Sequence, residues 1–332
     1  MKTISIIIVT YNSAATIGEC LSSLQEETFT DFEVILVDND SSDNTKQVTE
    51  SIKSSASYPI KTFYSYSNLG FTGGNQLALP HAAGRYIALL NPDAMPDRQW
   101  LAELKQAMDS QVGVGICASK MIIHGTQLID SAGDGYSTLF KGFKRGEGED
   151  WQRFNHPEYV FGACAGAALY RRRMLEEIGF LDEDFFLIQE DTDLNFRAQL
   201  AGWKVYYVPS AIVYHKVRSS IGPMSDTAVY YTLRNTEFVK IKNVPFALLL
   251  RYLPELVLEM ATEFIYFVIK HKKIRLYVQA KMNVLRFVPK MLKKRTVIMQ
   301  NKKISNRHLG RIMQPMWRRD FLKSMVRKML QG

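Results

Sequence analysis

The sequence predicts an α/β protein built on a mostly parallel central sheet, and two observations carry that prediction. "ISIIIVT" (4–10) and "FEVILVD" (32–38) are unbroken apolar runs of strand length, the pattern of strands buried on both faces. Between them Ile17, Cys20, Leu21 and Leu24 recur at helical spacing, so strand and helix alternate as in a sheet covered on both sides. The remaining elements follow in order. Residues 45–53 read as helix, 60–66 as strand, 74–83 as helix, 86–90 as strand, 99–110 as helix and 112–118 as strand. Residues 121–160 are Gly-rich and polar without a period, and read as a long loop or small irregular insertion. A small-residue strand, a short helix, a helix over 190–203 and two extended segments ending at His215 come next. After about Ser225 the pattern is helical, broken by Pro245, Pro254, Pro289 and Pro315.

The chain has 332 residues with 46% hydrophobic and 23% charged residues, which suits a globular core and excludes a disordered chain. Cys20, Cys117 and Cys164 are odd in number and far apart, which argues against a disulfide framework and for a reducing compartment. The N-terminal "MKTISIIIVTYN" reads as the first strand rather than a secretory leader, because no small-residue cleavage site follows its apolar run. No run reaches the roughly 18 apolar residues of a membrane span. Net charge is +9, but residues 234–332 carry +18 and the rest −9. An acidic body with a basic tail points to a polyanionic partner for the tail. Leu, Ile, Val, Met and Phe are interleaved with the basic residues, which suits an anionic membrane surface better than nucleic acid.

Ligands of parallel sheets bind at the C-terminal strand ends. Thr10, Tyr11, Asn12, Asp38 and Asp93 all fall there. Asp38 can accept hydrogen bonds from a base or ribose, whereas Asp40 and Asp43 read as turn and cap residues. "NLGFTGGNQ" (68–76) brings glycines to a helix start, either to admit a ligand or to make a plain turn. In "LLNPDA", Pro92 ends the strand and leaves Asp93 in a rigid turn, either capping the next helix or offering a hard oxygen to Mg²⁺ or Mn²⁺. Glu190, Asp191 and Asp193 open a helix behind an aromatic-rich stretch, which suits a general base in a cleft as well as a helix dipole. His215, at the end of an extended segment, is either a core or surface residue or a metal ligand.

Six motifs in this order, "SIIIVTYN", "VDNDSSDNT", "NLGFTGGN", "LLNPDA", "GFLDEDFFLIQEDTDLNFRAQLAGW" and "YHKVRSS", resemble the inverting nucleotide-sugar glycosyltransferases of family two over about residues 3–220. Within that family the chain is most similar to the rhamnosyltransferase-like enzymes of bacterial surface polysaccharide assembly. The resemblance implies the GT-A nucleotide-sugar-binding fold over 1–225, with a nucleotide half (1–120) and an acceptor half (121–225), while the charge and helical patterning beyond it mark 226–332 as a basic, helical, membrane-associating region. It implies that Thr10, Tyr11, Asn12, Asp38, Asn68, Gly70, Gly73, Asn75 and Asn91 hold the nucleotide diphosphate sugar. Asp93 and His215 would hold Mn²⁺ or Mg²⁺ on the diphosphate, and Asp191 would deprotonate the acceptor hydroxyl. Gly162, Gly166, Glu190 and Trp203 would line the glycan or lipid-linked acceptor. The implied setting is cytoplasmic, peripheral on the inner face of the cell membrane, and an oligomer is compatible with it. Asn91 stands where the family has the first Asp of its Asp-x-Asp, so the metal site has one charge fewer. A sugar nucleotidyltransferase, which would show a Gly-rich basic loop after strand one, and a nucleic-acid-binding protein led by the tail are the competing readings.

Overall fold

The computed structural model describes residues 2–217, 222 and 224–315. Twelve strands and eleven α-helices alternate within them. β1 (Ile4–Thr10), β2 (Phe32–Asp38), β3 (Ile60–Tyr64) and β4 (Tyr86–Leu90) pair in parallel in the order β3-β2-β1-β4. Alternate residues of each strand feed opposite cores, as the two-residue period requires. Ile4, Ile6, Ile8, Val34 and Leu36 pack with Ile17 and Leu21 of α1 (Ile17–Ser23) and with Trp100 and Leu104 of α4 (Trp100–Ser110). Ile7, Val9, Ile35 and Val37 pack on the other face with Ala78 of α3 (Gly70–Ala78), Met174 of α5 (Arg172–Ile178) and Leu194 of α6 (Glu190–Leu200). α2 (Thr45–Lys53) joins the first layer through Val48 and Ile52.

Beyond β4 the sheet is mixed. β11 (Ala167–Arg171) lies antiparallel between β4 and β6 (Val114–Ile123), and β12 (Lys204–His215) runs parallel to β6. One consequence positions the site. The N-terminal end of β11 lies at the same edge as the C-terminal ends of β1, β2, β4, β6 and β12. The two extended segments expected before His215 form the single strand β12, with its register shifted between Val208 and Ile212.

The segment 121–160 is more ordered than its sequence suggests. It extends β6 to Ile123, then forms β7 (Ile129–Ala132) against β6, a hairpin of β8 (Asp134–Tyr136) with β9 (Gly142–Lys144), and β10 (Glu158–Val160) against β12. Strands of three or four residues are too short to show a period. β5 (Ala94–Pro96) is equally short and pairs antiparallel with the end of β12.

The C-terminal part is helical, as expected: α7 (Asp226–Asn243), α8 (Phe246–Arg251), α9 (Leu253–Phe264), α10 (Ile274–Gln300) and α11 (Asn306–Ile312). Pro245 ends a helix, but Pro254 sits in the first turn of α9, where it costs no hydrogen bond. Pro289 lies inside α10 rather than breaking it. Its ring faces solvent, while Val284 and Met291 pack inward. Arg295 further along the helix donates to the Ile241 and Val244 carbonyls, so packing holds the helix through the lost bond. Residues 218–221 after His215 and the basic residues of 316–332 lie outside the described residues.

Candidate active site

Thr10 and Asp38 are register partners at the ends of β1 and β2. The Thr10 hydroxyl donates to Asp38 Oδ2 (3.3 Å), and the Ser41 amide donates to Asp38 Oδ1 (2.9 Å). Tyr11 is exposed beside them. Asn12, at φ +49°, ties the first loop to the second: its amide donates to Ser41 Oγ and its Oδ1 accepts from the Ser42 amide. Asp43 caps as expected, accepting from the Ala14 and Thr45 amides.

Asn39 organises the glycine-rich loop. Its Nδ2 donates to Asn68 Oδ1 and to the Gly70 carbonyl (both 3.0 Å), and its Oδ1 accepts from the Leu69 amide (2.9 Å). Gly70 needs to be glycine: φ is +70°, and a Cβ there would stand 2.5 Å from the Phe186 carbonyl oxygen. The Thr72 amide donates to the same carbonyl, so this loop touches the segment that leads into α6.

Asp93 follows the Pro92 turn and leads into β5. The pairing of β5 with β12 sets Ala94 opposite His215 and brings the two side chains together. His215 Nε2 lies 3.2 Å from Asp93 Oδ1, and Nδ1 lies 2.9 Å from Asp130 Oδ2; all three residues are buried. Burial disfavours the imidazolium, but the hydrogen bonds and charges of Asp130 and Asp93 outweigh it and raise the His215 pKa to about 9. Burial also opposes ionisation of Asp130, yet the His215 hydrogen bond and the Lys144 charge hold its carboxyl down to about 2. Lys144 Nζ donates to Asp130 Oδ1 (2.7 Å).

Asp191 opens α6. Its Oδ1 accepts from the Thr192 amide (2.6 Å), and its Oδ2 from the Ala165 amide at the turn before β11 (3.5 Å). An oxygen of Asp134, an oxygen of Asp191 and Cys164 Sγ lie within 4.8 Å of one another. Burial raises the Asp191 pKa against the pull of those two amides and of Lys144. Burial, with the Asp191 charge added, pushes Asp134 up to about 7. Glu190 is pushed up to about 8 by burial and then by Asp191, so it keeps its proton at neutral pH. Its Oε2 is among the few buried polar atoms of the described residues without a hydrogen-bond partner. The edge thus presents a polar shelf at the ends of β1 and β2, a carboxylate–imidazole pair and a carboxylate with a raised pKa.

The model of glycosyl transferase family 2 matches residues 5–179, more than half of the chain. The chain belongs to glycosyl transferase family 2. This glycosyltransferase is 27% identical over 252 residues to the N-acetylglucosaminyl-diphospho-decaprenol L-rhamnosyltransferase of Mycobacterium tuberculosis, covering 68% of this chain and 80% of that protein. It is 38% identical over 93 residues to the UDP-Glc:alpha-D-GlcNAc-diphosphoundecaprenol beta-1,3-glucosyltransferase WfaP of Escherichia coli, 28% of this chain and 36% of that one. The crystal structure of S. aureus TarS 1-349 in complex with UDP-GlcNAc superposes with a TM-score of 0.57 at 18% identity, covering 90% of this chain and 91% of that one. Mannosyltransferase PcManGT from Pyrobaculum calidifontis, in complex with GDP-Man and Mn²⁺, gives 0.55 at 15% identity, covering 90% and 87%. At these identities the structural likeness is one of fold, and that fold is the expected GT-A arrangement.

The glycosyltransferase gathers Thr10, Tyr11, Asn12, Asp38, Asn68, Gly70, Asn91, Asp93, Asp191 and His215 at one sheet edge. Gly73 lies within α3, where a Cβ would meet Leu69 at 2.7 Å. Gly166 passes its carbonyl to the Asn91 amide (2.8 Å), and Gly162 lets Asn195 of α6 approach the backbone. Two expected residues are not brought to the edge. Asn75 is buried in α3 and donates to the Phe71 carbonyl (2.8 Å), which serves the helix. Trp203 precedes β12, whose first residue pairs with Val114 at the start of β6, the opposite end of the sheet; its indole N–H donates to Glu177 (3.2 Å).

Four residues went unnoticed in the sequence. Asp130, Asp134 and Lys144 sit in the segment without a period, and Asn39 looked like part of a turn. The available signal was "IDSAGD", two acids four apart in an otherwise apolar and small-residue stretch.

A pH prediction follows from these charges. A base works only when ionised, so turnover is expected to fall as pH drops through the raised Asp191 pKa. Lys144→Met removes a neighbouring positive charge and is expected to move that acid limb to higher pH. Superimposable pH–rate profiles for the two proteins contradict the assignment.

Proposed function

We propose that this glycosyltransferase moves a sugar from a nucleoside diphosphate sugar to a lipid-linked glycan acceptor in surface polysaccharide assembly, by single displacement with inversion. The observation that carries the proposal is Asp191: a carboxylate of raised pKa at the strand-end edge that also holds Asp38 and the Asp93–His215 pair. An L-rhamnosyl donor is the finer form, supported by the long alignment to the mycobacterial rhamnosyltransferase.

In this reading Tyr11 and Asp38 hold the base and ribose, and the loop fixed by Asn39 and Asn68 borders the diphosphate. Asp191 takes the proton of the acceptor hydroxyl as that oxygen attacks the anomeric carbon, and the nucleoside diphosphate leaves from the opposite face. No second carboxylate nucleophile is needed. Glu190, beside Asp191, lines the acceptor in this reading.

The residues present fit a divalent cation. Asp93 offers a hard oxygen and His215 an imidazole nitrogen 3.2 Å away, and Asp130 takes the other ring nitrogen, the kind of partner that orients a metal-binding imidazole. Asp93 and His215 would hold a Mn²⁺ or Mg²⁺ ion, which would supply charge neutralisation to the leaving diphosphate.

The test is a donor screen that measures released nucleoside diphosphate. Chelator is expected to abolish release and Mn²⁺ or Mg²⁺ to restore it, with Asp93→Ala losing metal-dependent nucleoside diphosphate binding. Full release in chelator contradicts the metal part, and no release from any nucleotide sugar contradicts the whole.

A further inference from the structure

In the sequence, Arg251, Glu255, Glu259 and Glu263 recur every four residues, leaving a wide apolar face on the rest of the helix. In a globular protein the apolar face turns inward and the charged stripe outward. α9 is turned the other way. Glu259 and Glu263 are 1% and 3% exposed. Glu259 is ion-paired with Lys240 of α7 (2.8 Å) and with Lys141 (3.0 Å), and Glu263 with Lys281 of α10 (2.6 Å). Burying such charges is costly unless they are paired, and these pairs fix which side of α9 faces the protein.

The apolar side is left outside. Phe246, Leu250, Leu253, Val257, Phe264 and Ile265 are all 40% exposed or more, with Val257 at 59% and Phe246 at 66%. The Phe264 ring packs against Tyr277 of α10 (5.6 Å), where exposed Ile274 and Val278 flank it and continue the patch. A run of large apolar side chains this exposed is the kind of surface that marks a protein or membrane contact.

Its charged surroundings choose the occupant. Residues 246–315 contain fifteen Lys and Arg but only three acids, and Glu259 and Glu263 are turned inward. Arg251, Lys272 and Arg275 are exposed around the patch. A second copy docked on the same face would bring like charges together, whereas an anionic bilayer takes the apolar side chains and the surrounding cations at once.

We propose that the outer face of α8, α9 and the start of α10 inserts into the interfacial layer of an anionic membrane, holding the strand-end edge near lipid-borne substrates. The proposal rests on this surface and not on Asp191 or on the sugar transferred, so either can fail without the other. The test is flotation of the full chain with vesicles of phosphatidylcholine alone or with 30% phosphatidylglycerol (about one lipid in three). Binding is expected with the anionic vesicles, weakened but not abolished by 0.5 M salt (Debye length roughly 4 Å), because apolar insertion is not screened. The double variant Val257→Glu and Ile265→Glu, at exposed positions away from the active site, is expected to float at least tenfold less. Its melting temperature and its release of soluble nucleoside diphosphate should be unchanged. Absence of flotation, equal flotation of the variant, or a concentration-dependent dimer that the same substitutions abolish without any vesicle binding overturns the proposal.

Discussion

Asp191→Asn is expected to lower turnover by about 10²-fold or more while leaving nucleoside diphosphate binding near wild type. The substitution keeps the shape of the side chain and its place at the start of α6. The amide can still accept from Thr192 or Ala165 through its one oxygen, so the fold is not disturbed. What it loses is basicity. Binding should survive because the shelf formed by Thr10, Tyr11, Asp38 and the Asn39–Asn68 loop is built from other elements. Turnover and nucleoside diphosphate affinity measured on the same preparation separate the two effects. Near-wild-type turnover removes Asp191 from the role of base, and a parallel loss of affinity makes it a structural residue.

The second large effect is expected from a residue outside the edge. Phe186, Ile188 and Gln189 have φ of +65°, +66° and +71°, a region that side chains other than glycine rarely adopt. They lie immediately before α6 and so set where Asp191 points. Asn235 of α7 holds them there: its Nδ2 donates to the Phe185, Leu187 and Ile188 carbonyls at 2.7–2.9 Å. Arg234 Nη2 adds bonds to the Asp184 and Phe185 carbonyls. Asn235→Ala is expected to destabilise the protein by on the order of 2 kcal/mol, since the half-buried Leu187 and Ile188 carbonyls lose their Asn235 donor while Phe185 keeps that of Arg234. Among molecules still folded, turnover should fall more than donor affinity. Denaturant unfolding combined with kinetics well below the transition checks both. Unchanged stability and turnover remove the clamp from the account.

α7 therefore serves the catalytic half, although its sequence reads as the start of a basic tail. The same helix also holds α6 from behind. Asp193, one of the three acids at 190–193, is fully buried and bonded to Arg197 Nε (2.9 Å), Lys242 Nζ (3.0 Å) and Asn243 Nδ2 (2.8 Å). Composition could not separate Asp191 from Asp193, because both are acids in the first turn of one helix. Only the packing of α7 on α6 makes one structural and leaves the other facing the edge.

The parallel half of the fold was legible because β1, β2 and β4 bury both faces, so apolar runs such as "ISIIIVT" and "FEVILVD" stand out from the helices between them. The residues at their ends, Thr10, Asp38 and Asp93, inherited that clarity. The antiparallel part was not legible. β5, β7, β8, β9 and β10 have three or four residues each, and β5 and β10 find their partner β12 far along the chain, as Asp93 and His215 show. The four-residue charge repeat of α9 was visible in the sequence, but which side it faced depends on Lys141, Lys240 and Lys281 in three other parts of the chain.

The anomeric configuration of the first glycoside formed, read by NMR with the donor that the screen identifies, tests the proposed displacement most directly. A single displacement with Asp191 as the base gives a product inverted relative to the donor. A product that retains the donor configuration contradicts it.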